Sequence, residues 1–101
     1  MKTEEFVKRF VQISKENAGL ILKTLDITTD DEKSYGEKAG SIRSQLRQQN
    51  IWKKEIMNLL REAKKDDSNV ALKLSAESML RRIISSIKTT KFFKTQVESE
   101  K

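Results

Sequence analysis

Proline is absent from this chain and glycine occurs only three times, so the residues that build tight turns between strands are nearly missing. Apolar residues instead recur at the helix period and rarely alternate, which predicts an all-α fold. The sequence has 101 residues, enough for one core and no second, so residues 1–101 are read as a single helical domain.

Four helices follow from the spacing. Thr3 is a plausible N-cap with Glu4 and Glu5 behind it, and Phe6, Phe10, Ile13 and Leu20 with Val7, Val11, Ala18, Leu22 and Leu25 give a broad apolar stripe over 4–25. Thr28 or Thr29 is expected to cap a second helix, with Asp30, Asp31 and Glu32 in its first turn. Its stripe of Tyr35, Ala39, Ile42 and Leu46 is displaced by about 80° from that of Trp52, Ile56, Leu59, Leu60 and Ala63 at about 100° per residue. A drift of only about 20° per heptad is normal. A break at residues 48–50 is therefore expected, with Asn50 capping a third helix; the alternative is three helices in all, with 30–65 continuous. Asp67 or Ser68 is the expected cap of the last helix, whose stripe is Leu72, Ala76, Met79, Leu80, Ile83, Ile84 and Ile87. Ile42, Leu46, Ile56, Leu60, Met79, Leu80, Ile83 and Ile87 are expected among the most buried residues.

Short loops imply antiparallel neighbours, hence an up-down four-helix bundle. Such a bundle gathers Asp26, Asp30, Asp31, Asp66 and Asp67 at one pole. Arg47, Lys53, Lys54, Lys88, Lys91 and Lys94 then share the other with Phe6, Phe10, Trp52, Phe92 and Phe93. Residues 79–96 sharpen this picture, for they carry five basic residues and no acid. Arg81, Arg82 and Lys88 fall on the solvated back of a core helix. Lys91 and Lys94 leave that wheel, so the helix is expected to end or bend near Thr89 and Thr90, leaving 89–101 as a short C-terminal element and tail.

Chemistry is constrained by what is missing. Neither Cys nor His occurs, which removes disulfides, thiolate metal sites and triads that depend on either residue. The pairs Asp30 with Asp31 and Asp66 with Asp67 sit where helix N-terminal acids belong, so the chain is read as not an enzyme, with no catalytic residue, metal or cofactor. The segment 26–37 only loosely resembles a calcium loop, because Asp31 stands where the sharp turn requires Gly. Residues 39–50 carry Ser, Arg, Gln and Asn at the spacing of a DNA-recognition helix, but lack the preceding helix and tight turn. Two early acids and no run of about 18 apolar residues argue against a secretory signal or transmembrane segment, and a cytoplasmic location is expected.

With a formal net charge of +6, the leading expectation is a small binding or regulatory module. It would contact an anionic partner, nucleic acid or acidic protein, through Arg47, Trp52, Lys53, Lys54, Lys88, Lys91, Phe92, Phe93 and Lys94. The competing expectation is a structural or oligomerising protein–protein adaptor. Its contact would be Gly36, Gly40 and Ser44, whose four-residue spacing puts small groups on one helix face, where they either pack tightly in the bundle or form a homodimer seam.

Overall fold

The computed structural model describes residues 3–65 and 69–100. Three helices account for them: α1, Thr3–Thr28; α2, Tyr35–Lys64; and α3, Val70–Ser99, with no strand among the described residues. The fold is all-α as expected, but the four-helix bundle gives way to the three-helix alternative.

Both inter-helix boundaries differ from the sequence expectation for reasons visible in the side chains. Thr28 and Thr29 do not cap α2; their hydroxyls donate back to the Leu25 carbonyl at 3.3 and 2.7 Å and close α1 instead. The cap is Ser34, whose Oγ accepts from the Glu37 amide at 3.1 Å. Ser34 and Glu37 have the spacing of a capping box. Asp30, expected in a first helical turn, accepts from the Glu32 amide at 2.9 Å in the loop. Asn69 caps α3 by accepting from the Leu72 amide at 3.1 Å; Asp66, Asp67 and Ser68, and with them the expected cap and part of the expected acidic pole, lie outside the described residues.

Cross-helix bonds fix direction. Thr24 meets Ser41, Asn17 meets Gln49 and Arg9 meets Glu55, so α1 and α2 are antiparallel. Lys38 meets Glu100 and Gln45 meets Thr90, so α2 and α3 are antiparallel as well. It follows that α1 and α3 run parallel, as Asn69 with Thr3, Ser14 with Met79 and Asn17 with Ser86 confirm. The molecule is a long α2–α3 hairpin with α1 laid along one side, and it measures 53 × 19 × 15 Å.

The core is concentrated towards the end where α1 begins. Phe6, Phe10 and Ile13 pack there with Trp52, Ile56, Leu59, Leu60, Ala63, Leu72, Ala76, Met79 and Ile83. Of the eight residues expected deepest, Ile42, Ile56, Leu60, Met79, Ile83 and Ile87 are buried, while Leu46 and Leu80 are half-buried. The broad α1 stripe is only half used, because Val7, Val11, Leu22 and Leu25 remain exposed.

Residues 45–50 explain why α2 looked broken. Gln45 and Gln49 are fully buried and lie on the face shared by Ile42, Trp52 and Ile56, so one continuous face runs through the helix in polar residues instead of apolar ones. Asn50 is an interior residue whose Nδ2 donates to the Leu46 carbonyl at 3.0 Å. The expected end of α3 has the same resolution. Thr90 is buried, and the face continues through it from Ile87 to Val97.

These residues form a directional relay. Gln45 Nε2 donates to Thr90 Oγ1 at 2.7 Å, Thr90 Oγ1 lies 2.9 Å from Gln49 Oε1, Gln49 Nε2 donates to Asn17 Oδ1 at 3.0 Å, and Asn17 Nδ2 donates to Ser86 Oγ at 3.1 Å. All three helices contribute. Thr90 Oγ1 is also 2.9 Å from the Ser86 carbonyl, and its single proton serves one acceptor at a time. Gln45 Oε1 alone among the described buried side-chain polar atoms has no partner.

The relay predicts an asymmetry. Gln49→Leu leaves Asn17 Oδ1 without its donor, while the Thr90 hydroxyl keeps the Ser86 carbonyl, and should cost about 1–3 kcal/mol, whereas Gln45→Leu also removes an orphaned acceptor and should cost clearly less. Urea titrations of the two variants check this, and equal losses would refute it. Elsewhere, Ile83→Ala should cost about 2–5 kcal/mol as a buried large-to-small change. Gly19 is a helix-interior residue whose added Cβ would meet nothing within 4 Å, so Gly19→Ala should stabilise by about 1 kcal/mol, read as a higher melting temperature.

A candidate anion-binding face

Charge divides by helix and not by pole. In α1, four basic residues are balanced by four acidic ones; α2 carries seven basic against three acidic; α3 carries six against two. The α2–α3 hairpin therefore holds the whole excess of positive charge, and α1 is neutral.

The expected basic, aromatic pole does not form. Phe6 and Phe10 lie near the start of α1, Trp52, Lys53 and Lys54 near the middle of α2, and Phe92 and Phe93 near the end of α3 beside the 29–34 loop. Parallel packing of α1 and α3, forced by three helices in place of four, keeps Phe6, Phe10 and Trp52 level with one another at the core end and carries Phe92 and Phe93 to the opposite end. Trp52 is 3% exposed and belongs to the core, so it is removed from the surface set. Phe93 is half-buried and Phe92 exposed, with their rings 6.2 Å apart. Lys53 is half-buried, whereas Arg47, Lys54, Lys88, Lys91 and Lys94 are exposed.

The same helices assemble a different basic surface, on the side of the hairpin that α1 leaves uncovered. Arg43, Lys53, Arg61 and Lys64 fall within about 80° of one another on α2, and Lys73, Lys88 and Lys91 within about 60° on α3, at about 100° per residue. Two cavities show that these edges meet. One, of ≈ 240 Å³, is lined by Tyr35, Ala39, Ile42 and Arg43 from α2 with Lys94, Val97 and Glu98 from α3. The other, of ≈ 210 Å³, is lined by Met57, Leu60, Arg61 and Lys64 with Leu80. From Arg43 to Lys64 the row runs for about 32 Å at about 1.5 Å per residue. Arg47 and Lys54 flank it, turned further outward.

Pairing leaves most of this charge uncompensated. Lys38, 7% exposed, is held by Glu100 at 3.1 Å, and Lys94 lies 4.0 Å from Glu98. Arg43, Arg47, Lys53, Lys54, Arg61, Lys64, Lys73, Lys88 and Lys91 enter no ion pair among the described residues. The contrasting case is Arg9, on the opposite side. The Glu55 carboxylate accepts from its guanidinium and raises its pKa against the opposing effect of burial. That pair tethers α1 to α2 and offers no free charge to a ligand.

Arg43, Arg61 and Lys64 escape a reading of the sequence because dividing α2 at residues 48–50 scatters them over separate helices, and Lys73 because its neighbours on that face come from α2. The signal that could have found them is net charge per helix, once α2 is taken as continuous. Gly36, Gly40 and Ser44 do not pack within the bundle either. Gly36 and Ser44 are exposed, and a Cβ on Gly40 would meet only the Arg43 guanidinium at 3.9 Å. As a seam between two copies this face would bring Arg43 and Arg47 against like charges.

Comparison of the chain with protein-family models, curated proteins and solved structures gives no match. Among the described residues, no helix is long and apolar enough to cross a membrane.

Buried Trp52 makes one spectroscopic prediction: its emission should be blue-shifted in the native protein and should stay unchanged when an anion occupies the basic face. A shift on binding with no change in far-UV circular dichroism would place the ligand at the core end instead.

Proposed function

We propose that this chain is a non-enzymatic binding module that takes a polyanionic partner, nucleic acid before acidic protein, on the side of the α2–α3 hairpin away from α1. The observation that carries this reading is that the net excess of positive charge lies on the two helices that form that side, while α1 is balanced. A straight row of cations about 32 Å long is close to the repeat of a DNA duplex, about 34–36 Å. Lys and Arg side chains spaced along it can neutralise successive phosphates. Half-buried Leu46, Leu80 and Ile84 floor the row, so the lysine stems lie on apolar surface while their ammonium groups reach into water. Nucleic acid ranks first because phosphates supply negative charge at the regular spacing such a row can match.

The test compares two charge-neutralised variants of equal size. Lys88 and Lys91 changed to Gln should weaken binding of a labelled duplex and flatten its salt dependence by about 0.7–0.9 for each phosphate no longer neutralised. The matched pair Lys8 and Lys23 of α1 changed to Gln should leave both affinity and salt dependence nearly unaltered. Equal losses from the two sets would reduce the effect to diffuse charge, and absence of binding at low salt would overturn the reading. A polyglutamate competitor that matches the duplex in affinity would transfer the site to acidic protein.

A further inference from the structure

Away from the basic face, α1 and α3 enclose an apolar groove of ≈ 420 Å³ whose lining includes Val7, Phe10, Val11, Leu74, Met79 and Arg82. Val7 and Val11 are each 48% exposed and Leu74 is 57% exposed, so the groove is open to water along its apolar edge. The accessible surface of the chain is 6890 Å², against about 5,900 Å² expected for a compact monomer of this mass. The excess is comparable to the roughly 800 Å² that each partner loses in a standard interface. An occupant is therefore expected on size alone, and the charges around the groove specify which one.

An interface about a two-fold axis must be self-complementary, with its apolar centre on the axis and opposite charges equally displaced to either side. Here Glu4 lies one turn before Val7 on the same side of α1, while Lys15 lies one turn beyond Val11. Arg82 stands at that second level, because Ser14 meets Met79 and Asn17 meets Ser86. An axis between Val7 and Val11 thus carries Glu4 of one copy onto the level of Lys15 and Arg82 of the other. Glu4, Lys15 and Arg82 enter no ion pair among the described residues.

We infer that the α1–α3 groove is a homodimer interface, in which α1 of a second copy lies antiparallel along it, Val7 and Val11 pack about the two-fold axis, and Glu4 of each copy pairs with Arg82 and Lys15 of the other. This does not rest on the polyanion reading, since α1 shields neither the basic row nor its flanks. Dimerisation through α1 leaves a basic hairpin face directed outward on each copy.

Sedimentation equilibrium of the full chain over a concentration series tests the interface, with circular dichroism confirming that each variant is folded. The parent should show a monomer–dimer equilibrium. Val11→Lys buries a charge at the axis and should raise the dissociation constant by about tenfold or more, a loss of about 1.4 kcal/mol. Glu4→Arg, at an exposed position, should weaken the dimer, as should Lys15→Glu with Arg82→Glu. Combining the three charge reversals should restore it, which a purely structural effect would not do. A monomeric parent at all accessible concentrations, a folded Val11→Lys protein of unchanged dimer affinity, or failure of the combined reversals to recover affinity would each overturn the inference.

Discussion

A chain of buried hydrogen bonds at the waist of the molecule sets the register of everything else. Gln45 donates to Thr90, Thr90 lies against Gln49, Gln49 donates to Asn17 and Asn17 to Ser86, across three helices. Apolar side chains tolerate sliding by a turn because one aliphatic contact resembles another. Buried amides and hydroxyls do not, since a shift by one turn would leave several unpaired at about 1–3 kcal/mol apiece. The relay thereby specifies the level of all three helices at once. It lies where the apolar faces of both α2 and α3 lapse, so the two apparent breaks in the sequence are one place in space.

Register then determines where charge goes. Because Gln45 and Gln49 sit level with Thr90, Arg43 comes beside Lys94 around one cavity, and Met57 beside Leu80 around another. Cations from two helices line one side of the hairpin, with Glu77 as the acid among them on α3, while Glu55 and Glu100 are drawn into ties with Arg9 and Lys38. Crowding like charges along one side costs folding energy through self-repulsion. A polyanion on that side would offset the cost, which links the packing of the hairpin to the proposed function.

The neutral helix plays the complementary part. With α1 covering one side of the hairpin over only half of its own apolar stripe, Val7 and Val11 border a groove instead of a core, and Leu22 and Leu25 face solvent. The molecule is correspondingly slender, with a radius of gyration of 16.0 Å against about 13 Å for a compact domain of this length. One surface is basic and calls for an anion; the other is apolar with balanced charges and fits a second copy of itself.

Helix content was legible in the sequence by itself, because scarcity of Gly and Pro together with the helical spacing of apolar residues leaves no competing secondary structure, and so were most of the deep core positions, from Ile42 to Ile87. What the sequence could not show was that Gln45, Gln49 and Thr90 are core residues. A glutamine pattern reads as solvent-facing until another helix supplies the partner that makes its burial tolerable, and those partners lie 32 to 45 residues away. Only the tertiary structure could therefore join α2 into one helix, extend α3 to Ser99 and reduce four helices to three. The candidate site moved for the same reason: Lys54, Lys88 and Lys91 were legible as exposed cations, but which face they share depends on the parallel or antiparallel sense of helices that hydrogen bonds between distant residues decide.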